Sequence, residues 1–576
     1  MKKKAAWIPW LTGLLMSAAL MAAIFLFGDL RYAMNDDTAI LRQYMGFGTG
    51  EIPEAHAFLH PLLSTPLRWL GLAAPEVAWF SWMQLALLWL AGAVSVKALM
   101  QCFAKRGLSM AAGAGAGAVY LTLFVMTYAC HVTFTVTAAV LGAAAVLQLC
   151  SIDGERYTDG QIVRSLLLAL ALTALCGGLR LICVLPVALF CALALVPLAM
   201  RDFGFGRKKK RSWKPLLCGV CVIVLALGAM PVWRAAKMKA AGMEDYLNWQ
   251  DANGRVLDYY EVTNLTEEEL ELAGWTRKEA DLLAQWCFLG SELTEESFQR
   301  LAGALESQSK TGLTARLQSA WQKVTALPEA DPVAGRSALA LLAALLLCAL
   351  GLAFKREERL WPGLTLAAGL LVVGAFLMYL GWNGRLPVRA ALQAVLPYGA
   401  LVFGLLPVCL PKKPGRAAKP VLAAGTALLL ALTVCYAVPA VQALAKPAED
   451  PEALDPFSTL DMMAAEDPEC LYFYDESLCA DSRMFPGTEY GIPANLLFWG
   501  GWTFRSPEYM KCLSRFGISE EELDTTLFLR DDVYLTRGMI MPEPTALIDV
   551  LSEKTEEEIA AMQGGEEGGV YAFQFY

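Results

Sequence analysis

Residues 7–37 read WIPWLTGLLMSAALMAAIFLFGDLRYAMNDD. The part before Gly28 is apolar and carries no charge, and a helix of about 20 such residues crosses a bilayer. It is longer than the core of a signal peptide, and no clear small-residue cleavage site follows it. Three lysines, Lys2 to Lys4, precede it, and two adjacent carboxylates, Asp36 and Asp37, follow it. The stretch therefore predicts an uncleaved first membrane span that leads into a polar loop.

The rest of the chain repeats the apolar pattern. Of its 576 residues 56% are hydrophobic and 18% are charged, whereas about 25% are charged in a typical soluble protein. Apolar runs of span length recur, which predicts an α-helical polytopic membrane protein. We predict eleven spans, at about 7–27, 77–103, 108–128, 132–150, a 165–200 block split at 177–180 into a short and a longer span, 215–233, 337–354, 360–380, 390–409 and 420–441.

Basic residues predict the orientation of these spans. With eleven spans, the clusters at 2–4, 105–106, 207–211, 355–359 and 412–416 all fall on one side, and positive loops face the cytoplasm. This places the N-terminus in the cytoplasm and the C-terminus outside the plasma membrane. The RKKKR block at 207–211 could in principle bind nucleic acid, but on a short loop it indicates topology and contact with anionic lipid.

Two long polar segments are predicted to fold outside the membrane. Residues 1–233 form a membrane domain with the loop 28–75, residues 234–336 an insert, 337–441 the last spans and 442–576 a tail. The insert is helical, with Thr266 and Thr294 as N-caps. The tail is a small α/β domain, with strands at CLYFYD (470–475), LFLRDDVYLT (527–536) and GVYAFQFY (569–576) and helices at 507–517 and 544–554. Its GGWTFRSP segment (500–507) either stacks on sugars or belongs to the domain core.

Asp36 and Asp37 are the first candidates for chemistry. Adjacent carboxylates beside a membrane can hold a divalent cation, position an acceptor or act as a general base. The alternative is a solvated acidic loop in which Asp37 caps a helix that begins at Thr38.

His56 and His60 are four residues apart and share one face if AHAFLHP is helical. With an aspartate they could bind a metal, or they could hydrogen-bond to a sugar or phosphate. Packing at the membrane interface is the alternative, and the chain lacks an HExxH motif.

Three arginines are candidate ligands for an anion. Arg180 lies between two apolar runs, and a charge inside the membrane costs at least about 2.5 kcal/mol. Arg385 and Arg389 lie in the loop WNGRLPVR. A guanidinium suits a phosphate or pyrophosphate headgroup, and the alternative for each arginine is anchoring at the interface.

The NDD motif at 35–37, directly after a span with its N-terminus inside, resembles the GT-C class of polytopic glycosyltransferases and uncharacterised bacterial membrane proteins that carry the same motif. The long outer loop and outer C-terminal domain are also similar. The resemblance implies an active site at Asp36 and Asp37, a polyprenyl-phosphate sugar donor, and a glycan or lipid acceptor. A WWDYG-type motif is absent, which argues against the oligosaccharyltransferase subgroup.

These features predict a cell-envelope glycosyltransferase. A transporter or flippase of lipid-linked glycans is the first alternative, but it needs polar residues at mid-membrane depth, which several predicted spans lack. A non-enzymatic envelope assembly protein is the second. A cavity at the outer leaflet that contains Asp36, Asp37 and Arg180 favours the transferase.

Overall fold

All the predicted spans form helices in the computed structural model of the chain. It describes residues 7–202, 214–260, 262–290, 293–308, 312–355, 358–412, 414–444, 456–475, 483–538, 544–567 and 570–576. The predictions for Lys2 to Lys4 and for the RKKKR block lie outside these residues. The helices are α1 Ile8–Phe27, α2 Asn35–Met45, α3 Pro61–Ala73, α4 Trp79–Lys105, α5 Met110–Leu121, α6 Phe134–Cys150, α7 Asp159–Leu179, α8 Val184–Asp202, α9 Lys214–Ala240, α10 Glu244–Leu257, α11 Glu267–Ala273, α12 Arg277–Ala284, α13 Glu295–Gln308, α14 Leu313–Ala330, α15 Pro332–Ala353, α16 Leu360–Trp382, α17 Val388–Cys409, α18 Ala418–Leu444, α19 Pro456–Glu466, α20 Pro507–Arg515 and α21 Thr545–Thr555.

The chain is a polytopic helical membrane protein. In the described residues nine helices are long and apolar enough to cross a membrane, and α5 reaches that length by continuing through irregular turns to Ala129. The apolar helical stretches at predicted spans four and eight are shorter: Phe134–Cys150, and the part Ser337–Ala353 of α15. The number of spans and their orientation therefore stay predictions.

The bundle is organised around α6, whose residues are buried almost throughout. It packs against α4, α7, α8 and α17. Small residues allow this close approach: an added Cβ at Gly142 would meet the Val187 side chain, and one at Gly404 would meet Cys150. The centre of the bundle is thus filled by tight helix contacts.

Three local features differ from what the sequence suggested. Helix α2 begins at Asn35 after an extended Met34, so Asp37 lies in its first turn and is not the N-cap. His56 and His60 do not share a helical face, because residues 51–60 are not helical and the next helix, α3, begins only at Pro61. Span five is not short, because a capping box of Thr158 and Gln161 starts α7 at Asp159.

The described residues of the tail contain a five-stranded sheet, in which the strands lie side by side in the order Leu496–Phe498, Leu471–Tyr474, Val533–Gly538, Val570–Phe575 and Ala561–Glu567. A two-residue parallel pair, β1 Arg31–Tyr32 and β2 His131–Val132, joins the first loop to the bundle. The sheet strands are β3 Leu471–Tyr474, β4 Leu496–Phe498, β5 Val533–Gly538, β6 Ala561–Glu567 and β7 Val570–Phe575. Strands β3, β4 and β5 run parallel, and β7 is antiparallel to β5 and β6. Strand β5 is shorter than predicted, because residues 525–529 form a 3₁₀ turn.

The insert and the tail share one hydrophobic core. Trp249, Phe288 and Phe298 of the insert pack in the same cluster as Phe504 and Phe473 of the tail. Thr266 and Thr294 cap α11 and α13 as predicted, since each hydroxyl accepts a hydrogen bond from the backbone three residues on. The domain boundaries at 233, 336 and 441 stay predictions.

Candidate functional site

A cavity of about 770 Å³ lies where the membrane helices meet the insert and the tail. Its volume is in the range of ligand-binding pockets. Four of the predicted site residues line it, although they come from distant parts of the sequence: Asp36, Arg180, Arg385 and Arg389. Asp37, His56 and His60 are not among the lining residues.

Asp36 is placed by the start of α2. The pairing of β1 with β2, and a hydrogen bond from Ala33 N to Val132 O, direct the chain to the first turn of that helix. There the Asp36 carboxylate lies 3.8 Å from the Arg389 guanidinium, from Oδ2 to Nη2. Both side chains are about one-fifth exposed, at 21% and 22%, so their charges are only partly screened by solvent. Asp36 thus presents a carboxylate beside a cation.

Asp37 is sealed away from solvent. Its Oδ1 accepts hydrogen bonds from Gln84 Nε2 at 3.0 Å and from Phe134 N at 2.7 Å, and Gln84 accepts in turn from Thr137 Oγ1. Its Oδ2 has no hydrogen-bond partner in the described residues. Burial raises the pKa of the Asp37 carboxyl well above its usual range, although the two hydrogen bonds oppose this shift. Asp37 therefore anchors α2 to α4 and α6.

Arg180 lies at the end of α7, in the break between two membrane helices. Its guanidinium carbon is 4.8 Å from the ring centre of Phe58 and 5.1 Å from that of Phe134. Aromatic faces favour a cation at these distances. No carboxylate of the described residues lies within ion-pair distance of Arg180. Its guanidinium is positioned by aromatic rings and could therefore bind an anion in the cavity.

Arg385 and Arg389 follow the turn between α16 and α17, where Gly384 adopts a positive φ of 85°. Arg385 forms an ion pair with Asp258 of the insert. Arg389 approaches Asp36, and its Nη1 is buried without a hydrogen-bond partner among the described atoms. Among the described residues, three guanidinium groups and two carboxylates line the cavity, which leaves an excess of positive charge suited to an anionic ligand.

The two histidines shape the loop. His56 Nδ1 accepts from the backbone N–H groups of Phe58 and Leu59, at 3.1 and 3.2 Å, and burial lowers the pKa of His56 to about 3. His60 caps α3 by accepting from Leu62 N at 3.0 Å, while its Nε2 contacts the Met230 carbonyl at 2.9 Å. His56 Nε2 is buried without a hydrogen-bond partner among the described atoms, but neither histidine lines the cavity, so we do not include them in the proposed site.

The described residues contain no group of three His, Cys, Asp or Glu side chains that could hold a metal ion. Asp36 lines the cavity and Asp37 is buried against Gln84 and Phe134. The sequence pattern suggested that the two carboxylates could hold a cation together. Their different positions do not fit such a site.

Sequence reasoning missed several residues of the cavity wall. The insert contributes Gln250, Asn253 and Trp286, and the tail contributes Tyr474, Phe498 and Trp502. Trp502 belongs to the GGWTFRSP segment, for which sugar stacking was one of the two alternatives. The remaining residues carry no local signal, because their position depends on the docking of the insert and tail against the bundle.

Comparison with known proteins returned little. No protein-family model matches this chain, and no curated protein matches it. Among solved structures, the chain is similar to ArnT from Cupriavidus metallidurans, which was crystallised bound to undecaprenyl phosphate. The two share 12% sequence identity and a TM-score of 0.37, over 99% of this chain and 98% of that one. This likeness is too distant to assign a role to any residue of the site.

Proposed function

We propose that this protein is a cell-envelope glycosyltransferase that moves a sugar from a polyprenyl-phosphate donor to an extracytoplasmic acceptor. The observation that carries the proposal is the cavity in which Asp36 faces Arg389 beside Arg180 and Arg385. Such a transfer can use a carboxylate and guanidinium groups together. The carboxylate removes a proton from the acceptor, and the guanidinium groups bind the phosphate.

The lining of the cavity also suits a lipid chain. Ile182 and Leu185 of the α8 region and Tyr379 of α16 line it and are well exposed, at 67%, 69% and 63%. These side chains belong to candidate membrane spans, where their exposed surface faces lipid. A polyprenyl chain could therefore lie along this apolar edge while its phosphate reaches the arginines.

In the proposed reaction Asp36 accepts the proton of an acceptor hydroxyl. The hydroxyl oxygen forms a bond to the anomeric carbon of the donor sugar, and the bond from that carbon to the phosphate oxygen breaks. The polyprenyl phosphate leaves with the bonding electron pair, and Arg180 and Arg389 stabilise its negative charge. Arg389 pairs with Asp36 in the structure, so a bound phosphate would compete for Arg389 and release the carboxylate to act as a base.

The test is the analysis of lipid-linked glycans in a strain that lacks this gene. We expect the deletion to accumulate a sugar-charged polyprenyl phosphate, and the wild-type gene to remove it. Asp36→Asn should fail to complement, because the amide cannot accept the proton. The matched control is Asp251→Asn, which changes an exposed aspartate of α10 and should complement fully. Full complementation by Asp36→Asn would contradict the assignment of Asp36 as the base.

The donor that accumulates in the deletion strain also serves to test the transporter alternative. A flippase moves the lipid-linked glycan across the membrane without changing its covalent structure. Purified wild-type protein in detergent should release polyprenyl phosphate from the accumulated donor when the acceptor is present. Translocation in vesicles without any such release would instead favour transport.

A further inference from the structure

One part of the cavity wall consists of neutral residues from the insert and the tail. We call it the outer wall and define it by six residues: Gln250, Asn253, Trp286, Tyr474, Phe498 and Trp502. Its groups are aromatic rings and amides, whereas the guanidinium groups of the cavity come from the membrane helices. Asp258, the charged lining residue that the insert contributes in the described part of the chain, is paired with Arg385. The two parts of the lining therefore suit different parts of one ligand.

Asn253 is the first sign that the outer wall binds a ligand. Its side chain is 3% exposed and lines the cavity, yet its Oδ1 has no hydrogen-bond partner in the described part of the chain. Buried polar atoms are normally paired, since an unpaired one has lost its water without compensation. A hydroxyl group in the cavity could donate the missing hydrogen bond.

Trp286 is held at the cavity in an unfavourable backbone conformation. Its φ is 60°, in the left-handed region that non-glycine residues rarely adopt. The backbone of Gly500 lies against the Trp286 carbonyl, and a Cβ on Gly500 would collide with that oxygen. Strained residues that the surrounding fold holds in place are concentrated at ligand sites.

Trp502 is held firmly as well. Its ring centre is 4.8 Å from that of Phe58 and 5.0 Å from that of His56. Its carbonyl accepts a hydrogen bond from Gln250 Nε2 at 3.1 Å. Because these contacts restrain the indole before any ligand binds, little side-chain entropy would be lost when a ligand packs against it.

We propose that the outer wall binds the pyranose ring of the donor sugar, with a sugar hydroxyl donating to Asn253 Oδ1 and an apolar face of the ring packed against Trp286 or Trp502. A sugar ring has hydroxyl groups that can donate to the amide oxygens of the outer wall, and C–H faces that can pack against its aromatic rings. The inference rests on the proposed function, since it is the phosphate next to the sugar that would occupy the arginines of the same cavity.

Native mass spectrometry of the full-length protein in detergent tests this assignment. The probes are undecaprenyl phosphate and its conjugates with glucose, galactose, mannose or N-acetylglucosamine. We expect the wild type to bind at least one conjugate more tightly than the bare lipid phosphate. Asn253→Leu should weaken binding of that conjugate by about 5- to 10-fold, the effect of one lost hydrogen bond, and leave binding of the bare lipid unchanged. Trp286→Leu should act in the same direction.

The controls separate this proposal from the proposed function. Asn248→Leu alters an exposed residue of the same helix, α10, and should change neither affinity. Arg180→Gln should weaken the binding of the bare lipid phosphate and of the conjugate alike. Unchanged binding of both would contradict the proposed function and not the outer-wall assignment. Because Asn253 Oδ1 is unpaired, Asn253→Leu should keep the wild-type Tm, whereas a structural role predicts a lower Tm. Equal affinity of Asn253→Leu and wild type for the preferred conjugate, or no preferred conjugate, would overturn the outer-wall assignment.

Discussion

The Asp36 carboxylate lies 3.8 Å from the Arg389 guanidinium, whereas the carboxylate of the next residue, Asp37, accepts hydrogen bonds from Gln84 and from the backbone of Phe134. Two neighbours of the same type therefore occupy opposite environments. One lines a cavity with an excess of cations, and the other is fully buried. This contrast separates a candidate base from an anchor.

Asp36→Asn should reduce transfer by about 10²- to 10⁴-fold, the usual contribution of a general base. Its Tm should change little, because the ion pair of Asp36 with Arg389 is long, at 3.8 Å, and partly exposed to solvent. The measurement is the initial rate of sugar transfer with purified protein, alongside a thermal melt. A rate within a few-fold of wild type would contradict the assignment.

Asp37 should behave differently. Asp37→Asn keeps an oxygen for Gln84 and Phe134, whereas Asp37→Ala leaves both donors unpaired, at a cost of about 1–3 kcal/mol for each. Because the folded pKa of Asp37 is raised, the folded state holds its proton more tightly than the unfolded state. Wild-type stability should therefore fall as the pH rises above the unfolded value of about 3.9. The Tm of Asp37→Asn relative to wild type should rise over that range, and a constant difference would contradict the shift.

His56 should make the protein sensitive to acid. Its folded pKa of about 3 lies below the unfolded value of about 6.5, because burial disfavours the charged ring. Its contribution to stability is complete above about pH 6.5 and is lost as the pH falls towards 3. His56→Asn retains an acceptor for the loop backbone but does not titrate. We expect its Tm to fall less than that of wild type between pH 7 and about 4, and parallel curves would argue against this role.

Arg42 and Asp461 join α2 to α19 by a buried ion pair. Their side chains are 7% and 6% exposed, Arg42 Nη1 donates to Asp461 Oδ2 at 3.0 Å, and the guanidinium lies over Phe47 and Phe457. Asp461→Asn removes the negative charge from this buried pair, so we expect a loss of up to about 3–5 kcal/mol in unfolding free energy.

The control for that variant is the exposed pair of Arg255 and Asp251, whose side chains are 66% and 69% exposed. Asp251→Asn should cost less than about 1 kcal/mol. Equal losses of Tm for Asp461→Asn and Asp251→Asn would show that the buried pair does not hold the first loop to the tail.

Gly48 marks a second contact between the first loop and the tail. Its N–H donates to Pro493 O, its carbonyl accepts from Leu496 N, and a Cβ would lie 2.6 Å from Leu496 O. Its φ is +84°, and Gly107 has a similar φ of +78° with open space around it. Gly107→Ala should cost about 1–2 kcal/mol for the left-handed backbone. Gly48→Ala should cost about 1–3 kcal/mol more through overpacking, and equal Tm values would contradict the close contact.

The sequence by itself determined the class of the protein and most of its helices. The length of an uninterrupted apolar run is a local property, and in a bilayer it commits that run to a helix because the backbone has no other hydrogen-bond partners. The caps at Thr266 and Thr294 and the strand at 471–474 were also predictable, since caps and strand propensity act over a few residues. The capping box at Thr158 was just as local, but the prediction overlooked it.

Only the tertiary structure distinguished Asp36 from Asp37. Adjacent residues of a helix differ by about 100° in direction, so one can face a cavity while the other is buried, and the sequence does not state which. The buried partners of Asp37, Gln84 and Phe134, come from two other helices.

The cavity also could not be predicted from the sequence. Arg180, Arg385 and Arg389 were predicted individually, but their meeting with Asp36, and with Asn253 of the insert, depends on the docking of distant segments. Burial and pairing are decided by contacts between such segments, whereas helix formation in a membrane is decided within one. For this reason the sequence determined which elements form, and the tertiary packing decided which polar groups face a ligand.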